Sequence, residues 1–503
     1  MTPAARFRRS LVGGILALLL VVTARGSRLL LASEDPAPLP LKSAESSDVL
    51  QEARSRGYLT LQDCFAIAVR ENERIGQAQE DYTQAGLVKL QARGAVLPQV
   101  TLEDNYYRQN KVQNKVTLPI IPGSPTTPPP TDSRNQVALH LTQPIFRGLR
   151  ERNFYKYADA NIRTYAYALE DARRQLYMNV AQDFYVVLQI EGEVRTLEDT
   201  VQVEKERFKE IQARREAGLA RKSEVLLVQS QLARDESLLT STRNDLQVAR
   251  QRLTFLLTVP ADLPLRDEPF ASQVTAASSG TGEGADELAA LVQNARSNRS
   301  DLRQREMAVR AAEYQVAVAR GAYLPSIDLD AYGYLGRTNY SEFQEKTDWS
   351  AQIDFTFPVF DGGRLKSDLL TAKSRLQQAI LDRDQMARQV ELEVEAAYLT
   401  VQSDAAQMKT LEVSVASADE NYNLVKEEYR NGLATNLEVF AAQNQLLSAR
   451  LGLERQKYQV GLDAAVLSLF QGVVPTEAKG APSEAPAPGS SGDTPPTPID
   501  PVP

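Results

Sequence analysis

The chain has 503 residues, of which 43% are hydrophobic and 24% charged, a globular balance that excludes wholesale disorder. Its formal net charge of -8 argues against a nucleic-acid partner, which needs a clustered basic surface. One cysteine (Cys64) and one histidine (His140) exclude an internal disulfide and a Cys- or His-rich metal centre, so no catalytic residue, metal or cofactor is expected.

The N-terminus is basic at Arg6, Arg8 and Arg9, then apolar from Leu11 to Val22. A run of 12 residues is too short for a spanning helix and suits the core of a signal peptide. Small-residue cleavage sites follow at Val22-Thr23-Ala24 or Leu30-Leu31-Ala32. Residues 1–32 therefore read as a signal peptide, with a membrane anchor as the other reading. Glu34 stands where a lipidated cysteine would follow Leu31-Ala32-Ser33, so no lipid anchor is expected. Nowhere else do 18 apolar residues run together, so any later membrane crossing must use strands. Residues 33–57, rich in Pro, Ser, Gly and Ala, read as a linker.

From residue 58 onward the chain repeats itself. Ala92-Arg93-Gly94-Ala95-Val96-Leu97-Pro98 recurs as Ala319-Arg320-Gly321-Ala322-Tyr323-Leu324-Pro325, a shift of 227. Gln143-Pro144-Ile145-Phe146 recurs as Phe357-Pro358-Val359-Phe360, a shift of 214, and Gly218-Leu219-Ala220 recurs as Gly432-Leu433-Ala434 at the same 214. Glu224-Val225 matches Glu438-Val439. The chain is a tandem duplication, 58–258 and 285–472. The shift falls by 13 between Pro98 and Pro144, so the first copy carries an insertion there. Pro119–Ser133, with six prolines, is that insertion and reads as a long loop.

Each copy has the order helix, strand, loop, strand, very long helix, tight turn, helix. Val137, Leu139 and Leu141 alternate with Ala138, His140 and Thr142; Trp349, Ala351, Ile353 and Phe355 alternate with Ser350, Gln352, Asp354 and Thr356. Ile327, Leu329 and Ala331 alternate with Ser326, Asp328 and Tyr332, while the first strand, around Val100–Tyr106, is less clean because Asp104 shares the apolar face. This period of two fits tilted membrane strands or a half-buried soluble sheet. His140 falls on the polar face, facing a lumen if the strands form a barrel.

After each strand pair comes a helix of unusual length. Gly148 to Glu216 has no proline, and Gly192 is its one internal glycine; Leu365 to Arg430 has neither residue. Apolar side chains recur every three or four positions, slightly above 3.6 on average, so strict left-handed heptad supercoiling is not implied. Gly218 and Gly432 stop these helices, and return helices run to about Leu257 and Leu469. Residues 259–284 read as an inter-repeat linker and 473–503 as a Pro-rich tail.

Four strands cannot close a barrel, and open edges are not tolerated in lipid, so several chains must pool their strands. A signal peptide, pooled strands and helices about 100 Å long together describe a conduit. The alternative is a periplasmic or secreted coiled-coil structural protein with soluble hairpins.

Several motifs carry a family resemblance: Leu59-Thr60-Leu61-Gln62-Asp63, the two Ala-Arg-Gly-Ala-x-Leu-Pro segments, Phe357-Pro358-Val359-Phe360-Asp361-Gly362-Gly363-Arg364, and Tyr429-Arg430-Asn431-Gly432-Leu433. Over 58–472 the chain resembles the TolC-type outer-membrane efflux proteins. The resemblance implies a mixed α and β fold: an outer-membrane β-barrel of four strands per chain, twelve in a trimer, continued by a long α-helical periplasmic barrel. It implies a passive duct for efflux or type I secretion, with outer-membrane lipid, a periplasmic adaptor and an inner-membrane pump as partners. In the family the helix-turn tips meet the adaptor; here they map to Gly218, Leu219, Ala220, Gly432, Leu433 and Ala434. Glu438 matches an acidic entrance position, whereas Ala441 stands where a second acid can occur; Glu438 and Glu224 could equally be solvated helix charges. Pro144, Pro358, Asp361, Gly362, Gly363 and Arg364 mark the strand-to-helix junctions, where Asp361 and Arg364 are better read as helix caps than as mechanistic residues. Asn72-Glu73 replaces the family's Asn-Pro. Cys64 sits where a small apolar residue is usual and reads as a buried hydrophobe rather than a reactive thiol.

Overall fold

The computed structural model describes residues 44–108, 133–259, 263–267, 284–339 and 349–472. The expected signal peptide, the Pro119–Ser133 loop apart from its last residue, and the C-terminal tail lie outside these. In chain order the helices are α1 (Ala44–Arg56), α2 (Leu61–Glu71) and α3 (Glu73–Gly94), followed by strands β1 (Gln99–Arg108) and β2 (Ser133–Arg147). Next come α4 (Arg150–Glu216), α5 (Lys222–Leu257), α6 (Gly284–Asn298) and α7 (Ser300–Gly321). The second copy ends with β3 (Ser326–Asn339), β4 (Trp349–Thr356), α8 (Arg364–Arg430) and α9 (Asn436–Phe470).

Two features differ from the sequence reading. Part of the stretch read as linker is helical, as α1. The opening helix of each copy is in fact two, broken at Asn72 and at Arg299. Neither break uses a proline. Asn72 leaves the helical region (φ -76°, ψ 126°) and its side chain accepts a hydrogen bond from the backbone N–H of Arg74, which starts α3 anew. Arg299 (φ -65°, ψ 121°) occupies the equivalent place in the second copy.

α4 and α8 are both 67 residues long, about 100 Å at 1.5 Å per residue. The one glycine within them, Gly192, is a point of close approach: a Cβ there would lie 2.5 Å from Glu454 Oε2 on α9. Both end in a Schellman motif. Gly218 (φ +77°) and Gly432 (φ +73°) take the left-handed conformation, and Leu219 N–H and Leu433 N–H reach back to the carbonyls of Arg214 and Glu428 at 2.7 and 2.8 Å. α4 pairs with α5 and α8 with α9, and α4 also contacts α3, α7 and α9. The main apolar core lies where α2, α4, α5 and α9 meet, around Phe65, Ile67, Tyr177, Val180, Phe184, Leu253, Leu257 and Leu469. Cys64 belongs to it, fully buried, and burial pushes its thiol up to about 12, which leaves it unreactive.

The four strands form one antiparallel sheet in the order β1-β2-β3-β4. The two hairpins obey the duplication: Gln99 opposes Thr142, and its repeat image Ser326 opposes Thr356. One face carries Val100, Leu102, Leu139, Leu141, Leu329, Ile353, Phe355 and Trp349; the other carries Glu103, His140, Thr142, Asp330, Gln352 and Asp354. Among the described residues the apolar face has no layer over it, and Leu102, Trp349, Ile353 and Phe355 are all more than half exposed. No helix among the described residues is long and apolar enough to cross a membrane.

Candidate functional site: a polar sheet face, its junctions and the helical tips

The polar sheet face gathers hydrogen-bonding side chains from all four strands. His140 on β2 lies between Glu103 on β1 (Nδ1 to Oε1, 3.0 Å) and Asp330 on β3 (Nε2 to Oδ1, 2.7 Å). Thr142 donates to the same Asp330 oxygen at 2.9 Å, and Tyr332 stacks on the imidazole at 4.1 Å. Gln352 on β4 donates to Asp354 at 2.9 Å. The lone histidine thus joins three strands, and Arg147 of β2 meets Asp328 of β3 at 2.7 Å.

At the membrane-proximal ends the chain passes from strand to long helix through left-handed residues. In the second copy these are Gly362 (φ +68°) and Gly363 (φ +90°); in the first they are Gly148 (φ +67°) and Leu149 (φ +59°). The Asp361 carboxylate accepts from the N–H groups of Gly363 (3.0 Å) and Leu365 (2.6 Å), so it caps α8, which Arg364 opens. Pro144 lies inside β2 next to a register shift, and Pro358 lies just past the end of β4.

The far ends of the helices hold the two tips. Leu219 and Leu433 are each 80% exposed, the most water-facing apolar side chains of the helical half apart from Phe255. The tips are tied to each other. Tyr429 packs against Ile211, Val225 and Val228, its hydroxyl donates to Glu224 at 3.4 Å, and the Arg214 guanidinium lies 5.4 Å over its ring. Glu438 is exposed, and its carboxylate is turned back onto Thr435, accepting from the backbone N–H at 2.6 Å and the hydroxyl at 3.0 Å in a capping box. The N–H of Thr435, with the hydroxyl, holds the Glu438 carboxyl below the usual glutamate range. The structure thus gives Glu438 a local capping role.

Sequence reasoning missed two buried polar clusters. Arg299, 1% exposed, bonds Asp301 through Nε (3.1 Å) and Nη2 (2.5 Å) and Glu393 through Nη1 (2.5 Å), under the ring of Phe470; Arg174 reaches the same Asp301 at 3.2 Å. The missed signal was a charged Arg-Ser-Asp at the shift of 227 from Asn72-Glu73-Arg74. Nearer the tips, Arg207 on α4 clamps Asn436 and Gln443 of α9. Beside it Glu204 is 1% exposed and neither of its oxygens has a well-formed hydrogen bond among the described residues. Burial pushes its carboxyl above the ordinary range against the pull of Arg207.

Comparisons with known proteins agree with this architecture. The outer membrane efflux protein family model matches residues 70–259 and 291–472. The outer membrane efflux protein BepC of Brucella suis is 25% identical over 338 residues, covering 66% of this chain and 71% of that one. The alkaline protease secretion protein AprF of Pseudomonas aeruginosa is 23% identical over 422 residues, 83% of this chain and 85% of its own length. Among solved structures, the outer membrane protein VceC of Vibrio cholerae superposes with a TM-score of 0.68 at 18% identity, covering 82% of this chain and 96% of that one. The CmeC outer membrane channel of Campylobacter jejuni gives 0.69 at 17%, covering 82% and 85%.

Proposed function

The chain belongs to the outer membrane efflux protein family, and on that premise we propose that three copies form the outer-membrane duct of a tripartite efflux or type I secretion assembly. The duct conducts substrate passively from periplasm to exterior, and a periplasmic adaptor and an inner-membrane pump complete the pathway. The observation that carries this reading is a four-stranded sheet that, among the described residues, has an uncovered apolar face and both edges unpaired, attached to two 67-residue helices. A soluble coiled-coil protein has no use for Trp349, Ile353 and Phe355 bared on one side of a sheet. Native mass measurement of detergent-extracted protein is expected to give three copies, and the same preparation to conduct ions across a planar bilayer. A stable monomer that conducts would overturn the assembly.

The tips are the proposed docking and opening elements. Gly432→Trp is expected to abolish export while leaving trimers in the outer membrane. A Cβ at Gly432 meets nothing within 4 Å, so the substitution costs only the left-handed strain, about 1–2 kcal/mol, and spares the packed core. The indole instead blocks the surface presented by Leu433. Normal export by this variant removes the tip from the mechanism.

Glu438 is proposed to contribute an entrance ring when three copies converge, each carboxylate held ionised by Thr435. Converging carboxylates in a narrow pore focus a negative potential. Glu438→Gln keeps the capping box, because glutamine serves at that position too. It is expected to weaken cation selectivity and multivalent-cation block in planar bilayers with trimer stability unchanged. Glu224→Gln serves as the control; if both variants match the parent, the gate lies elsewhere.

A further inference from the structure

The internal duplication makes the interface between copies readable. Residues of β1 map onto β3 by adding 227, and residues of β2 map onto β4 by adding 214. The structure obeys this mapping: the eight β3·β4 pairs from Ser326–Thr356 to Gly333–Trp349 are the images of the β1·β2 pairs from Gln99–Thr142 to Tyr106–Asn135. The remaining interface, β2·β3, joins the end of one repeat to the start of the next. A closed ring needs one further interface of that same kind, between β4 of one copy and β1 of the next. Both of these strands are edges within the chain, and nearly all their residues are exposed.

Applying the mapping to β2·β3 fixes the register. His140 opposite Tyr332 becomes Asp354 opposite Asn105, Thr142 opposite Asp330 becomes Thr356 opposite Glu103, and Gln143 opposite Leu329 becomes Phe357 opposite Leu102. Leu139 opposite Gly333 becomes Ile353 opposite Tyr106. This arrangement brings together four exposed apolar side chains, Leu102, Tyr106, Ile353 and Phe357, on the apolar face. A slip of one residue would set that face against the polar one. The polar side carries the chemical difference. Within a chain, the imidazole of His140 meets the Asp330 carboxylate. The image of His140 is Asp354 and the image of Asp330 is Glu103, so at the other interface a carboxylate meets a carboxylate: Glu103, held by His140 of its own chain at 3.0 Å, faces Asp354, which accepts from the neutral Gln352 amide of its own strand at 2.9 Å.

Resting on the trimeric reading above, in which β4 of one copy closes onto β1 of the next, we propose that this seam has Asp354 opposite Asn105 and is an acid-to-acid joint, Asp354 against Glu103, where the seam within a copy is bridged by histidine.

The test is disulfide trapping in a Cys64→Ala background. Directly opposed residues have Cα atoms about 4.5–5.5 Å apart, within the reach of a disulfide. A chain carrying Asp354→Cys and Asn105→Cys, oxidised in the membrane, is expected to run mostly as covalent dimers and trimers on a non-reducing gel. Asp354→Cys with Thr101→Cys, four residues off and so about 13 Å away, is expected to stay uncoupled. Trimers by mass that cross-link in the second pair and not the first overturn the register and leave the trimer standing. A chain that is not trimeric fails the earlier reading and this one together. Independently, Asp354→His supplies the imidazole that the first repeat has. It is expected to raise the temperature at which the trimer dissociates in detergent, and a lower temperature, or none of this gain, removes the acid-to-acid joint.

Discussion

Gly148→Val is expected to leave no assembled channel in the outer membrane. Gly148 holds φ at +67°, a conformation that costs an L-residue about 1–2 kcal/mol on its own and a β-branched one more. The larger effect is steric. A Cβ at Gly148 would lie 2.0 Å from the backbone oxygen of Gly321 and 2.9 Å from its carbonyl carbon. The approach is mutual, since a Cβ at Gly321 would lie 2.4 Å from the oxygen of Gly148. Neither backbone can retreat: Gly148 is held between β2 and α4, and Gly321 ends α7 just before β3. Overlap of this kind belongs with the substitutions that cost more than about 4 kcal/mol. Gly362 is the repeat image of Gly148, with φ +68° and nothing within 4 Å of a Cβ. Gly362→Ala is therefore the control, expected to lose only the strain. Outer-membrane fractions blotted for heat-dissociable trimers compare the two directly. Wild-type amounts of trimer from Gly148→Val would show that the two repeats do not touch here.

Arg299→Met is expected to lower stability by about 3–5 kcal/mol, the range for removing one partner from a buried ion pair. Methionine keeps most of the apolar volume under Phe470, so the loss reports charge rather than a cavity. Asp301 keeps Arg174 at 3.2 Å and the backbone N–H of Leu302 at 2.8 Å, while Glu393 loses the Arg299 guanidinium and keeps the neutral Gln389 amide. The loss depends on pH in a definite direction. Burial alone would raise the Asp301 carboxyl, but its bonds to Arg299 dominate and hold it below the ordinary aspartate range. Its stabilising share is therefore present above the unfolded value and lost as pH falls through the folded one. The gap between variant and parent should be widest near neutrality and shrink toward acid, where the carboxylates protonate in both. Adding Asp301→Leu should recover part of the deficit, because it removes a charge left buried. Thermal dissociation of detergent-solubilised trimers at several pH values reads all three.

The long helices were legible because helix-breaking residues are absent over such spans, and the strands because apolar residues at Val137–Leu141 and Trp349–Phe355 alternate without interruption. The breaks at Asn72 and Arg299 were not, because both rest on side-chain bonds formed after folding: Asn72 to Arg74, Arg299 to Asp301 and Glu393. The tip positions Gly218 and Gly432 were visible as helix stops, but the link from Tyr429 to Glu224 joins residues 205 positions apart and has no local signature. Glu438 shows the limit most clearly. Its place two turns from the tip could be read from the chain, while its attachment to Thr435 needed the capping geometry. Leu149 is a different case. Its repeat image is Gly363, so comparing the two copies would have flagged a left-handed leucine.

The equal length of α4 and α8 has a mechanical meaning. Two legs of 67 residues standing on one sheet put both hairpin tips at the same depth, so the tube has a level foot. An insertion in one leg alone would tilt that foot by about 1.5 Å per residue, or 5.4 Å for a full turn. Lengthening the tube to suit a wider periplasm therefore requires matched insertions in both halves of the gene. The 13-residue difference between the halves falls instead between strands, where added chain leaves the leg lengths untouched. The duplication thus works as a ruler whose two arms can change only together.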